Sequence, residues 1–223
     1  MDMLVSRQSE ALAEEGGRSP ATGPRARTGR LMLETAIRLM QSGATPSVSE
    51  VAEAAGVSRA TAYRYFPSQA ALVGAVVDEA LGPILTWNSA SQDPARRVAE
   101  LIGTGLPRIE AFEATFKAAL KLSLDQWARG RAGTLGEEAE FKRGHRRDLL
   151  KDALAPLEGK LSPAKRERLA QALSLVFGVE VLTVLKDIWG LGGQETQSVA
   201  QWAANALVRA ALEEQAAATP GTS

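Results

Sequence analysis

The stretch GVSRATAYRYFPSQAAL, residues 56 to 72, gathers Ser58, Arg59, Thr61, Tyr63, Arg64, Tyr65 and Phe66 in a chain that holds only two Tyr and five Phe. Guanidinium groups grip phosphate oxygens and guanine edges in a two-pronged way, and hydroxyls donate to phosphates. Small residues such as Ala60 let a helix approach a groove wall. On a helix, Arg59, Ala60, Thr61, Tyr63 and Arg64 turn outward, which is the mixture a nucleic-acid reading surface requires. Tyr63 and Tyr65 are expected to set a ring against the sugar-phosphate wall and a hydroxyl on a phosphate, with Phe66 turned inward. The competing reading is a helical bundle in which these side chains only pack.

Positioning such a surface takes short, sharply capped helices. A helical pattern begins at Thr28, with Leu31, Ala36, Ile37, Leu39 and Met40 at helical spacing, and Gly43 ends it. Ser47-x-x-Glu50 is a capping box, in which a hydroxyl and a carboxylate satisfy orphan N–H groups at a helix start. Gly56 closes that helix after two turns, and Ser58 caps the next, which Pro67 stops after Phe66. Ser68 caps a fourth, ending near Gly82. Val51, Ala55, Val57 and Ala62 fall where the second and third helices must pack, and the two together make a helix-turn-helix pattern.

Charge supports this placement. The whole chain carries 26 basic and 26 acidic residues, so its net charge is zero. Yet between Arg18 and Phe66 seven arginines stand against three carboxylates, an excess of four positive charges. Cysteine is absent, which excludes disulfides and thiolate metal sites and suits a reducing cytoplasm, the expected compartment. The N-terminus lacks the apolar core of a secretory signal, and no apolar run reaches the roughly 18 residues of a membrane span. His145 is the single histidine, with no serine or acid pair spaced to make it a base, and its basic surroundings read as a solvated helix start. No catalytic residue, metal or cofactor is expected.

Residues 28 to 82, through SVSEVAEAAGVSRATAYRYFPSQAAL, resemble the N-terminal domain of the TetR family of bacterial transcriptional regulators. The resemblance implies a three-helix DNA-binding unit, a larger helical domain, homodimerisation, and repression at a palindromic operator relieved by a small hydrophobic ligand. It places Ser47, Ser58, Arg59, Ala60, Thr61, Tyr63, Arg64 and Tyr65 at DNA-facing positions. One departure stands out: most members carry a lysine after Pro-Ser, where this chain has Gln69. Gln69 alone favours the competing reading, a helical dimeric small-molecule-binding or protein-interaction module without DNA binding. Of the arginines ahead of this domain, Arg27 and Arg30 are open to a minor-groove role or to none, while Arg18 and Arg25 read as tail.

The fold class expected is all-α, with about nine helices. Residues 1–26 and 216–223 read as disordered tails, 27–82 as the DNA-binding domain and 83–215 as a ligand-binding and dimerisation domain. Between Arg96 and Trp127 apolar residues cover a wide face. The resemblance implies that some line a cavity: Phe112, Phe116, Leu120 and Trp127, faced by Trp87 and Phe177. The run from Leu169 to Leu191 is apolar almost all round and is expected to be a helix buried on more than one side. The last helix puts Val199, Trp202, Ala203, Ala206 and Ala210 near one face, and by resemblance these two helices form the homodimer interface. Glu180, mid-run, must find a partner: Lys186, an arginine, a ligand amine or the second subunit.

Overall fold

Ser47, Ser58 and Ser68 each hold the backbone extended and accept a hydrogen bond from the third residue onward, so the N-terminal third is cut into helices where hydroxyls stand. The computed structural model describes residues 24–218. The first four helices are α1 (Pro24–Gln41), α2 (Val48–Ala54), α3 (Arg59–Tyr65) and α4 (Gln69–Leu81). The capping box is complete: the Glu50 N–H donates to Ser47 Oγ at 3.2 Å and the Ser47 N–H to Glu50 Oε2 at 2.7 Å. Gly56, at φ 66°, makes the turn into α3. Val51, Ala52 and Ala62 are fully buried where α2 meets α3, with Ala55 and Val57 packed at the margin.

The helical start lies earlier than composition indicated. Proline suits a first helical turn, and the Tyr65 hydroxyl donates to the Arg25 carbonyl at 2.8 Å, so a tertiary bond holds residues that read as tail. Arg25, Arg27 and Arg30 are exposed on α1, while Arg18 lies outside the described residues. At the other end the last helix continues to Ala218, past the expected boundary at 215.

The larger domain contains α5 (Pro94–Ala111), α6 (Glu113–Arg131), α7 (His145–Ala153), α8 (Pro163–Leu173), α9 (Val179–Leu182) and α10 (Gly193–Ala218), with a π-turn over Thr183–Ile188. The described residues thus form ten α-helices and no strand, an all-α fold. The apolar face read as continuous from Arg96 to Trp127 belongs to two helices that part at Phe112 (φ −117°, ψ 29°). On α5, Leu101, Ile102, Leu106 and Ile109 enter the core of the larger domain; on α6, Ala118, Ala119 and Leu122 enter the core of the smaller one.

The expected buried helix from Leu169 to Leu191 is broken as well. α8 stops at Leu173, and Gly178 takes φ 135°, ψ −178°, a conformation close to glycine-only. The breaks sort the apolar residues: Phe177, Val181 and Leu182 go into the core, whereas Leu175, Val184 and Ile188 reach solvent, Leu175 at 79% exposure.

The two cores share walls. Leu72, Val73 and Val76 of α4 belong to the smaller core and Ala80 and Leu81 to the larger, just as Phe116 of α6 faces the larger core while Ala118 faces the smaller. Gln69–Thr86 has the length and hydropathy of a membrane span, and it is this shared wall, α4 with the short 3-10 turn after it.

Candidate nucleic-acid interface and adjoining cavity

α3 exposes Arg59, Ala60, Tyr63 and Arg64 along one side, because Ala62 and the inward Phe66 anchor the other against α1, α2 and α4. Neither Arg59 nor Arg64 has a carboxylate within salt-bridge distance among the described residues; the Arg64 guanidinium lies 5.8 Å from the centre of the Tyr65 ring. Tyr63 is 46% exposed, and its hydroxyl lies 3.4 Å from that of Ser49, which joins the far edge of α3 to α2. Ser49 was not singled out from sequence, because nothing in its spacing distinguishes it from a capping residue.

The hydroxyls divide by where their protons go. Ser58 Oγ donates to Thr61 Oγ1 at 2.9 Å and accepts the Thr61 N–H at 3.3 Å, so its proton is spent inside the helix start. Thr61 accepts in its cap and keeps a proton to donate outward, whereas the Ser47 hydroxyl accepts the Glu50 N–H and turns its own proton to the Glu50 carboxylate. Glu50 stays ionised beside them: hydrogen bonds from the backbone and side chain of Ser47 hold its carboxyl below the usual range. Tyr65 differs from expectation. Its ring lies 3.3 Å from where a Cβ on Gly29 would stand, and its hydroxyl proton goes to the Arg25 carbonyl. It fastens α1 to α3 and has no proton left for a phosphate.

Gln69 also has a task that sequence reasoning missed. Its Nε2 donates to the carbonyls of Thr45 and Pro46, both at 3.0 Å, and so latches the turn that sets Ser47 in place. Gln69→Ala is expected to lower stability by about 1–2 kcal/mol, the usual effect of two lost, partly buried hydrogen bonds. Urea unfolding checks this, and an unchanged midpoint would remove the latch.

Where α4, α5, α6 and α7 converge, a cavity of about 320 Å³ opens. Of the seven residues proposed for a pocket, Phe116, Phe177 and Glu180 line it. The other four do not, each for a packing reason. Trp87 is partly buried and packs against the core with the Arg97 guanidinium 5.6 Å from its ring centre, and the Phe112 ring centre lies 4.3 Å from the guanidinium of Arg108. Leu120 packs against the core from its edge. Trp127 is 67% exposed beside a separate cleft near Gln126 and Phe141.

Asp78, Lys142, Arg143, His145, Arg146 and Arg147 join Ser174 and Glu180 in the polar part of the lining. Sequence reasoning passed over them because FKRGHRR reads as a solvated helix start. His145 Nε2 is 2.7 Å from Asp78 Oδ1. Arg143 donates to Glu180 Oε1 at 2.9 Å, and Arg146 donates to Glu180 Oε2 and to the Ser174 carbonyl, the latter at 3.0 Å. Glu180 therefore takes the arginine option. Lys186 instead bridges Glu110 and Glu113, 2.7 Å from each. Burial pushes the Glu180 carboxyl up, but the Arg146 charge, hydrogen bonds and Arg143 outweigh it and hold the group below its ordinary value.

The sign for stability follows. A carboxyl with a depressed folded-state pKa contributes stability that is complete above its unfolded value and is lost as pH falls through the folded one. The parent chain should therefore lose more thermal stability than Glu180→Gln on acidification from about pH 6 to about pH 3. Parallel melting curves across that range decide it, and equal slopes would detach Glu180 from the pair.

The sequence model described as "Bacterial regulatory proteins, tetR family" matches residues 32–76, which run from α1 to the middle of α4. No curated protein sequence matches the chain. Among solved structures, a TetR transcriptional regulator from Rhodococcus sp. RHA1 aligns with a TM-score of 0.56 at 22% identity, covering 83% of this chain and 97% of that one. A tetR-family transcriptional regulator from Streptomyces coelicolor aligns with a TM-score of 0.56 at 19% identity, covering 86% of each. At these identities the likeness is one of fold.

Proposed function

Since residues 32–76 make the chain a member of the TetR family, a transcriptional regulator with a DNA-binding domain, we propose that it is a cytoplasmic dimeric repressor released from a palindromic operator by a small ligand. The observation that carries the reading is the outer side of α3, where Arg59 and Arg64 stand around Tyr63 without carboxylate partners among the described residues. α3 enters a major groove, and a two-fold pair of subunits reads half-sites roughly 34–36 Å apart or a multiple of that. Thr61 adds a hydroxyl donor to the phosphates, Ser47 sets the start of α2 beside them, Ser58 and Ala60 permit close approach, and Tyr65 acts from behind as a brace. Gln69, which favoured a module without DNA binding, is occupied with the carbonyls of Thr45 and Pro46.

The dimer forms through the exposed apolar side chains after α9 and on α10. Ile188, Trp189 and Trp202 are each at least 72% exposed, and large exposed apolar side chains of this kind support an interaction surface. Ligand control has a mechanical route in the shared walls. Val77 and Asp78 of α4 and Phe116 and Ala119 of α6 line the cavity, and the same two helices form part of the core under α3. A ligand that prefers one spacing of α4 and α6 shifts the reading heads by its difference in affinity for the two arrangements.

Selection of bound duplexes from a random pool, with purified protein at moderate salt, tests this. An enriched inverted repeat is the expected result. Weak binding without sequence preference, from a folded dimer, would end the operator reading.

A further inference from the structure

We propose that the cavity takes an amphipathic organic anion, its apolar body against Leu81, Ile109, Phe116 and Phe177 and its carboxylate between Lys142 and Arg143. The inference rests on the ligand-responsive reading above and names the chemistry of that ligand. Volume comes first: about 320 Å³ is at the small end of the roughly 300–1,000 Å³ that small-molecule sites occupy. The inner walls are apolar, so they favour a hydrocarbon or aromatic body of any charge class.

Charge at the mouth then selects among the classes. Lys142, Arg143 and Arg146 gather around a single carboxylate, Glu180, which the two arginines already share. Three cations on one carboxylate leave two positive charges uncompensated. Of the remaining charged lining groups, Asp78, hydrogen-bonded to His145, offsets one of them and Arg147 has Asp148, so one positive charge is left at the mouth. Lys142 has no carboxylate within reach among the described residues, and both Lys142 and Arg143 are exposed, so they can swing onto a head group without breaking a buried contact. The start of α7 lines the same mouth with no side-chain cap on its N–H groups, which adds to the positive field.

Other head groups fare worse. An ammonium would have to displace two guanidinium groups from Glu180 while facing the net positive charge. A hydroxyl would gain one ordinary hydrogen bond and leave the excess charge unmatched. A carboxylate receives charge-assisted bonds from Lys142 and Arg143 and leaves the Arg146–Glu180 pair in place. Because the mouth is solvated, the gain is limited to about tenfold or somewhat more in affinity.

Calorimetric titration of the full-length, DNA-free protein with octanoate, octan-1-ol and octylamine tests the proposal. Octanoate should bind at least about tenfold more tightly than octan-1-ol, and octylamine most weakly. Lys142→Gln/Arg143→Gln should bring octanoate down to the level of octan-1-ol and leave octan-1-ol unchanged. Lys142→Gln alone, which breaks no hydrogen bond or ion pair among the described residues, should remove part of the preference. The proposal is overturned by equal binding of octanoate and octan-1-ol, by octylamine binding tightest, by a preference that survives the double variant, or by no binding of the three. Since no DNA is present, failure of the duplex selection leaves this result standing, and failure here leaves the α3 assignment standing.

Discussion

Arg59→Ala/Arg64→Ala is expected to bind the selected duplex about 100-fold more weakly than the parent chain, or weaker still, with no loss of thermal stability. Each guanidinium makes hydrogen bonds to an anion or a base edge, and such bonds contribute about 1.5–3 kcal/mol apiece, or at least tenfold in affinity. Neither side chain has a carboxylate partner among the described residues, and the helix preference of alanine offsets the loss of the Arg64 charge from the last turn of α3 and from beside the Tyr65 ring. Arg59 also sits at the first position of α3, where a positive charge opposes the helix dipole and its removal is mildly favourable. Salt dependence adds a second readout. If both arginines of each subunit meet phosphates, the dimer loses four contacts and the slope of log affinity against log salt should fall by about four; if one of the two reads a base, it falls by about two and preference relaxes at one position of each half-site. A folded double variant with parental affinity would remove α3 from the interface.

How much of this surface could be read from sequence depends on whether a residue's role is local. Ser47, Ser58, Glu50 and Gly56 act within three or four positions of themselves, so spacing alone located the caps and the turn. The exposed side of α3 followed from the buried Ala62 opposite it. Tyr65 and Gln69 were misjudged because their partners, Arg25 and Thr45 with Pro46, lie 40 and 23 to 24 positions away. A hydroxyl or amide carries no mark of such distant acceptors. In the larger domain the periodicity was real but its meaning was not local. The apolar side chains of α5 serve the larger core while those of α6 divide between the two, and the run from Leu169 to Leu191 bends at Gly178 to bury one part and expose another. The cavity was mislocated for a related reason: aromatic content drew attention to Trp87 and Trp127, while the charged FKRGHRR that borders the cavity looked like ordinary surface.

Phe177→Ala should cost about 3–5 kcal/mol in urea unfolding, a large part of the 5–15 kcal/mol that holds typical domains together. The ring is 2% exposed and reaches α5 only because position 105 has no side chain: a Cβ there would stand 2.5 Å from Cε2 and 2.7 Å from Cζ of the ring. Mid-helix glycine is unfavourable by about 1 kcal/mol against alanine, so its presence in α5 is explained by this contact and not by helix propensity. Gly105→Ala alone should therefore destabilise by about 1–3 kcal/mol through overpacking, despite its better propensity. With the ring gone, the same methyl group occupies part of the void. Gly105→Ala/Phe177→Ala is then less destabilised than the two single changes added together, by about 0.5–3 kcal/mol of coupling. Strict additivity would mean that the ring does not rest on α5. The same ring lines the cavity, so its loss joins the void to the ligand space. Octan-1-ol, which has no charge to place, then reports on that added volume alone, and a bulkier apolar body should gain affinity in Phe177→Ala even as the fold weakens.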